Sequence, residues 1–114
     1  MKYDKGNVFY KIINKEISSD ILLEGEHFVA FRDVRPKAPV HILVVPRGGY
    51  VDWRDFSTHA SAEEIAGFCR GIAEVIDFAG LNKGGYRLIS NSGEFGQQEV
   101  FHMHVHILGD VTVK

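Results

Sequence analysis

The chain has 114 residues, of which 45% are hydrophobic, 25% charged and 11% aromatic, and this composition excludes a disordered, collagenous or low-complexity protein. Thirteen basic and fifteen acidic side chains leave a formal charge of −2, so no basic surface for a nucleic-acid backbone is expected. Cys69 has no second cysteine to pair with, and no secretory signal or membrane-length apolar run is found, so we expect one cytoplasmic domain over residues 1–114 with neither a nucleic-acid nor a membrane partner.

The first third of the chain predicts a short helix followed by two strands. Asn7 can cap a helix, in which one apolar face would be shared by Val8, Phe9, Ile12 and Ile13. Residues 20–23 and 27–32 are predicted strands on either side of a Glu-Gly-Glu turn. Two prolines then indicate a loop, because proline fixes φ and lacks an N–H donor.

The middle of the chain predicts one buried strand and one long helix. Residues 41–46 form an apolar run that ends at a proline, which is typical of a central strand. Residues 47–60 give no clear prediction. From Ser61 the sequence matches a capping box, and apolar residues recur at helical spacing as far as Gly80, a plausible C-cap. Cys69 lies on this stripe, so we interpret it as a core residue and not as a nucleophile.

The last third of the chain predicts two more strands. These strands cover residues 86–91 and 99–109, and a glycine-containing loop at 92–97 separates them. The complete set of elements predicts a protein of the α+β class. We expect a five-stranded, mostly antiparallel sheet with one long helix against one face and a short N-terminal helix.

Three histidines alternate with apolar residues in the last predicted strand. In an extended strand, His102, His104 and His106 would project from one face, and the other face would carry Phe101, Met103, Val105 and Ile107. An ordinary exposed strand, a metal site and covalent catalysis by imidazole are the possible interpretations. Alternate strand residues stand about 6.6–6.8 Å apart, which disfavours a shared metal. His104 has a titratable neighbour on each side and is the best nucleophile candidate, and the loop at 91–98 suits phosphate oxygens.

The His-x-His-x-His motif resembles the signature of the histidine triad (HIT) superfamily of nucleotidyl hydrolases and transferases. Segments 8–13, 30–34, 36–43, 85–87 with Asn91, and 96–108 follow the order seen in its Hint branch, which contains purine nucleoside phosphoramidases. The resemblance implies hydrolysis of the P–N bond of a purine nucleoside 5′-phosphoramidate through a nucleotidyl-histidine intermediate, with no metal or other cofactor, in a homodimer. The alternatives are a dinucleoside polyphosphate hydrolase of the same superfamily and a non-catalytic nucleotide-binding or interaction module.

The resemblance also implies roles for individual residues. His104 matches the nucleophile, and His106 matches a phosphate-contacting histidine that could protonate the leaving amine. His102 and His41 match supporting histidines, and Asp33 matches the carboxylate that accepts hydrogen bonds from the ribose. The apolar slot for the base is matched by Val8, Phe9, Ile12, Phe31, Val34 and Leu43. The phosphate loop is matched by Asn91, Gln97, Gln98 and Glu99.

Two positions of this chain depart from the pattern of the HIT superfamily that it resembles. Gln97 stands where many relatives have glycine, and Glu99 stands where some have serine. We expect Gln97 to crowd the phosphate loop. Glu99 would either turn its carboxylate away and contribute only its backbone N–H, or serve in the leaving-group region. Because the proposed chemistry needs neutral imidazole, activity is expected to fall below about pH 6.

Overall fold

The computed structural model describes residues 2–113, and the end residues of the predicted domain, Met1 and Lys114, lie outside them. The elements in chain order are α1 (Val8–Ile13), β1 (Ile21–Glu24), β2 (Val29–Arg32), β3 (Val40–Val45), α2 (Trp53–His59), α3 (Ala62–Ala79), β4 (Tyr86–Ile89) and β5 (Val105–Gly109). The strands form one sheet of order β1-β2-β3-β5-β4, in which each neighbouring pair is antiparallel. The predicted α+β class and five-stranded sheet are therefore confirmed. None of the helices in residues 2–113 is long and apolar enough to cross a membrane.

The central strand β3 separates two apolar clusters on opposite faces of the sheet. Its residues Ile42 and Val44 join the larger core under α3, whereas Leu43 and Val45 join a smaller cluster under α1. Successive side chains of a strand point to opposite faces, so a strand covered on both sides is a continuous apolar run. The smaller cluster covers only part of the sheet face on which α1 lies, and the candidate site is on the uncovered part.

The caps predicted for α1 and α3 are confirmed. The Asn7 side chain accepts a hydrogen bond from the Tyr10 N–H, and Ser61 and Glu64 bond reciprocally as a capping box. Gly80 ends α3 with φ +73°, a conformation that costs glycine little because it has no Cβ. Local sequence thus sets both ends of the long helix.

The structure corrects two expectations in the middle of the chain. Residues 47–60, which gave no prediction, contain α2, whose N-cap Asp52 accepts a hydrogen bond from the Asp55 N–H. Phe56 is the one buried residue of that helix, so its sequence shows no apolar repeat. The interpretation of Cys69 as a core residue is wrong, because its side chain is exposed. It follows the buried Phe68, and one residue of helix rotates a side chain by about 100°.

Three predicted strands are shorter than expected. The second begins at 29 instead of 27, the fourth ends at 89 instead of 91, and the last begins at 105 instead of 99. Residues 98–103 are not part of the sheet, and two of them bond instead to the segment after β3. The Met103 N–H donates to the Tyr50 carbonyl at 2.7 Å, and the Gln98 amide donates to the Val51 carbonyl at 2.6 Å.

Candidate active site

A cavity of about 720 Å³ opens on the α1 face of the sheet. Fourteen of the fifteen site residues predicted from the sequence line it, and His102 is the exception. The sequence analysis missed six further lining residues, which are Ser19, Arg32, Arg35, Lys37, Gly96 and Val100. A space of this size, with an apolar wall and a few polar groups, is typical of a small-ligand site.

The apolar wall of the cavity leads directly to the histidines. Phe31 lies opposite Leu43 in the sheet register, and Leu43 lies opposite His106, so one row of side chains crosses three strands. The Phe9 ring on α1 lies edge-on, 5.3 Å from the centroid of Phe31 and 5.0 Å from that of His104. The predicted base slot and the predicted nucleophile are therefore in contact. Val34, which is 90% exposed, lies at the cavity mouth.

The backbone fixes the orientation of the His104 ring. Its Nδ1–H donates to the carbonyl of His102 at 2.7 Å, because a carbonyl oxygen only accepts. The Ser90 hydroxyl donates to the His104 carbonyl at 2.9 Å and holds the main chain at this point. With the proton on Nδ1, the lone pair is on Nε2, which makes no hydrogen bond to any group in residues 2–113. His104 thus offers an unblocked nitrogen nucleophile.

A second chain of hydrogen bonds assigns the protons of His41 and His106. The backbone N–H of Lys37 donates to Nδ1 of His41 at 3.0 Å, so the His41 proton is on Nε2. That nitrogen lies 2.9 Å from Nδ1 of His106 and 3.4 Å from a carboxylate oxygen of Asp33. Nδ1 of a neutral His106 therefore accepts, and its Nε2 carries a hydrogen. His106 is a hydrogen-bond donor on the cavity wall.

His102 does not share the cavity with the other two histidines of the motif. Its side chain is fully buried, and its ring nitrogens bond to the Pro46 carbonyl and the Tyr3 hydroxyl. The expectation that three rings project together from one strand is wrong for His102, because residues 99–104 do not form a strand. His102 supports His104 through its carbonyl. The predicted apolar side is confirmed for Met103, Val105 and Ile107 but not for Phe101, which is half-buried.

All four histidines of the site are held neutral near pH 7. Burial lowers the pKa of His102 to about 4 and that of His106 also to about 4, where neighbouring His104 and His41 add to the effect. Burial also lowers the pKa of His104 and of His41, against the opposing field of Asp33. The fall in activity expected below about pH 6 is therefore moved toward lower pH.

The loop before β5 is stabilised from within by the buried side chain of Gln98. Its carbonyl oxygen accepts from the Gly93 N–H at 3.0 Å, and its amide donates to the carbonyls of Val51 and Val100. Gln97 has φ +57°, which a non-glycine residue rarely adopts. The expected crowding at Gln97 is thus accompanied by an unfavourable backbone conformation.

Basic residues line the cavity beside Asp33. Arg35 and Lys37 are exposed and form no ion pair with an acidic group in residues 2–113, whereas Arg32 pairs with Asp20 at 2.7 Å. Lys37 lies close enough to His41 and His106 to help lower the pKa of each. Positive charges at the rim of a cavity lined by neutral histidines favour an anionic ligand.

Three ligand atoms near the rim could also hold a metal ion. Asp33, His41 and His106 place one candidate atom each within 4.8 Å of one another. Imidazole nitrogen and carboxylate oxygen are both ligands of zinc. A metal here would have to replace the hydrogen bond between His41 and His106.

Known proteins match this chain over most of its length. A protein described as "Purine nucleoside phosphoramidase" from Escherichia coli (strain K12) is 41% identical over 103 residues, which are 90% of this chain and 85% of the relative. A "14 kDa zinc-binding protein" from Zea mays is 41% identical over 111 residues, 93% of this chain and 83% of the relative.

The solved structures agree with the sequence matches. A HIT family hydrolase from Clostridium thermocellum superposes with a TM-score of 0.86 at 35% identity, over 95% of this chain and 93% of the other. The family model described as "HIT domain" matches residues 14–112. The HIT fold is thus shared with these proteins, which include a HIT family hydrolase. The chain belongs to the HIT domain family.

Proposed function

We propose that this protein hydrolyses the P–N bond of purine nucleoside 5′-phosphoramidates through a covalent nucleotidyl-His104 intermediate. One observation carries the proposal. His104 faces a cavity of nucleotide size with its Nδ1 bound to a carbonyl and its Nε2 unblocked. The phosphoramidase from Escherichia coli supports the same reaction class.

The cavity offers a separate place for each part of an adenosine or guanosine 5′-phosphoramidate. The base would lie against the apolar wall that includes Phe9, Phe31 and Leu43. The ribose hydroxyls would donate to the Asp33 carboxylate. The phosphate would meet the loop stabilised by Gln98 and the cationic rim.

The reaction would proceed in two displacements at phosphorus. Nε2 of His104 attacks, the bond to phosphorus forms, and the P–N bond to the amine breaks. The departing amine takes a proton, for which Nε2–H of His106 is the donor suggested by the hydrogen-bond chain; the negative charge left on His106 is balanced by the positive charge that the His104 ring gains on bonding to phosphorus. Water then breaks the His104–phosphorus bond, releases the nucleoside monophosphate and returns a proton to His106. Positioning and donors around the phosphoryl group would supply the catalysis.

A substrate panel tests the proposal. Wild type, His104→Ala and the control His59→Ala are compared on adenosine and guanosine phosphoramidates, and AMP binding is measured by calorimetry. His59 is an exposed histidine of α2 outside the cavity lining. We expect His104→Ala to lose turnover and keep AMP binding, and His59→Ala to behave as wild type. Full activity of His104→Ala would refute the nucleophile assignment.

The same panel separates the proposal from its two nearest alternatives. Faster cleavage of diadenosine polyphosphate than of a phosphoramidate would favour a dinucleoside polyphosphate hydrolase. Tight AMP binding without turnover of any substrate would favour a nucleotide-binding or interaction module. The proposal requires phosphoramidates to be the better substrates by kcat/KM.

Zinc binding is a second candidate function, and the cluster of Asp33, His41 and His106 favours it. The name of the maize relative points the same way. Zinc would use the ring nitrogens that otherwise bond to each other, so metal binding and the proposed hydrolysis exclude each other. Metal analysis and assay of chelator-treated protein decide between them. Retained activity in metal-free protein supports hydrolysis, whereas tightly bound zinc together with no activity after its removal supports a metal site.

We propose that two copies form a homodimer through β4. This strand is an edge of the sheet, and its outer residues Tyr86 and Leu88 are 46% and 48% exposed. Two copies of an edge strand can pair antiparallel about a two-fold axis, and such pairing of β4 with β4 would join the two five-stranded sheets. Sedimentation of wild type and Leu88→Lys tests this. A dimer that Leu88→Lys dissociates is expected, and a monomeric wild type would contradict it.

We also propose that the protein acts in the cytoplasm. The composition supports this, because a single cysteine, exposed on α3, is typical of a reducing compartment. Cell fractionation with an antibody against the protein tests the proposal.

A further inference from the structure

The N-terminal segment contacts the catalytic motif through one tyrosine. The hydroxyl of Tyr3 lies 2.5 Å from Nδ1 of His102, 99 positions later in the chain. The family resemblance implies no role for Tyr3, and Tyr3 does not line the cavity. Tyr3 nevertheless contacts the same residue, His102, whose carbonyl orients the His104 ring.

The hydrogen bonds around His102 allow one assignment of protons. Its Nε2 lies 2.8 Å from the Pro46 carbonyl, which only accepts, so Nε2 carries the proton and Nδ1 accepts. Tyr3 must therefore donate to Nδ1. The tyrosine oxygen in turn accepts from the Asn7 side-chain amide at 2.9 Å, so its own hydrogen is available for His102. Both ring nitrogens of this buried histidine are satisfied.

The consequence reaches His104 through the main chain. The carbonyl of His102 accepts the Nδ1–H of His104 at 2.7 Å, and the position of that carbonyl depends on where the His102 ring is held. We propose that Tyr3 is a positioning residue, whose hydroxyl anchors His102 and thereby keeps Nε2 of His104 aimed into the cavity. The proposal rests on the proposed function only for the effect on turnover.

The surroundings of Tyr3 are shaped to hold its ring. A Cβ added at Gly49 would lie 2.7 Å from Tyr3 Cε2, so a side chain there would displace the ring from the loop after β3. The Tyr10 ring packs edge-on at 5.8 Å on the other side. Burial raises the pKa of Tyr3, so the phenol keeps its proton and remains a donor throughout the working pH range.

The test compares Tyr3→Phe with the matched control Tyr10→Phe. Each variant removes one hydroxyl and keeps the aromatic ring, and Tyr10 lies outside the cavity lining. For Tyr3→Phe we expect kcat to fall about tenfold, because a buried acceptor loses its partner. AMP affinity should stay unchanged. The Nδ1 proton of His104, followed by NMR of ¹⁵N-histidine-labelled protein, should broaden through faster exchange with water. Tyr10→Phe should match wild type in each measurement.

Contrary results are equally definite. A kcat of Tyr3→Phe within twofold of wild type together with an unchanged His104 signal would overturn the proposal. A loss shared equally by kcat and AMP binding would overturn it as well, because it would indicate a purely structural role. If Tyr3→Phe does not fold, the wild-type spectrum decides, since a proton on Nδ1 of His102 is incompatible with the proposal. An inactive wild type would refute the proposed function and leave the NMR measurement to decide on Tyr3.

Discussion

The buried neutral histidines predict a loss of stability between pH 7 and pH 5. Burial lowers the pKa of His102 from the ordinary 6.5 to about 4. Between these two values the unfolded chain binds a proton that the folded protein does not, so stability falls as the pH falls and is level above about 6.5. Integrating from pH 7 to pH 5 gives about 2 kcal/mol for this one group. His106 has a pKa that is also about 4 but is partly exposed, so its contribution is smaller.

The assay is urea unfolding at pH 7 and pH 5 at one protein concentration. Wild type should lose about 2–4 kcal/mol of unfolding free energy over this interval. Carboxylates with lowered pKa values, such as Glu24 and Asp55, act mainly below this window. His106→Asn should reduce the loss, and the control His59→Asn, at an exposed position, should keep it. A wild-type loss below about 1 kcal/mol would show that these rings are not held neutral by the fold.

Two further predictions concern the loop before β5 and the core under α3. Gln98→Ala should lower the unfolding free energy by about 2 kcal/mol, because three backbone groups lose a buried partner, and should also weaken AMP binding in calorimetry. Unchanged stability and affinity would contradict the role given to this side chain. Gly71→Ala should destabilise the protein by about 1–2 kcal/mol in urea unfolding, because the added Cβ would clash with the Phe28 ring. The exposed Ala66→Gly serves as the helix-propensity control, and a stabilised Gly71→Ala would mean that Phe28 moves aside freely.

Local patterns predicted most of the elements and the cavity lining. The apolar run of β3, the capping box at Ser61 and the cap at Asn7 each depend on residues close together in the chain. Of the fifteen site residues predicted from the family resemblance, fourteen line one cavity. The failures share a cause. Helix α2 buries one residue, so it has no apolar repeat that could predict it. Cys69 is exposed one position after a buried phenylalanine, and the apolar repeat does not distinguish the two positions.

The last strand shows the limit of such patterns most clearly. Strict alternation over residues 100–108 predicts a strand, but residues 98–103 bond to the distant Tyr50 and Val51. The Met103 N–H thus bonds outside the sheet, and β5 begins at 105. No periodicity within the segment could reveal partners that lie about fifty positions away.

The sequence alone predicted the family resemblance, the α+β class and fourteen of the residues that line the cavity, because these follow from short-range patterns and a specific motif. Tertiary structure decided where the protons of the four histidines lie. Each proton is assigned by a partner that the fold brings near, such as the Lys37 N–H for His41 or the Pro46 carbonyl for His102. Imidazole chemistry depends on which nitrogen carries the hydrogen, and only the meeting of distant segments in space determines it.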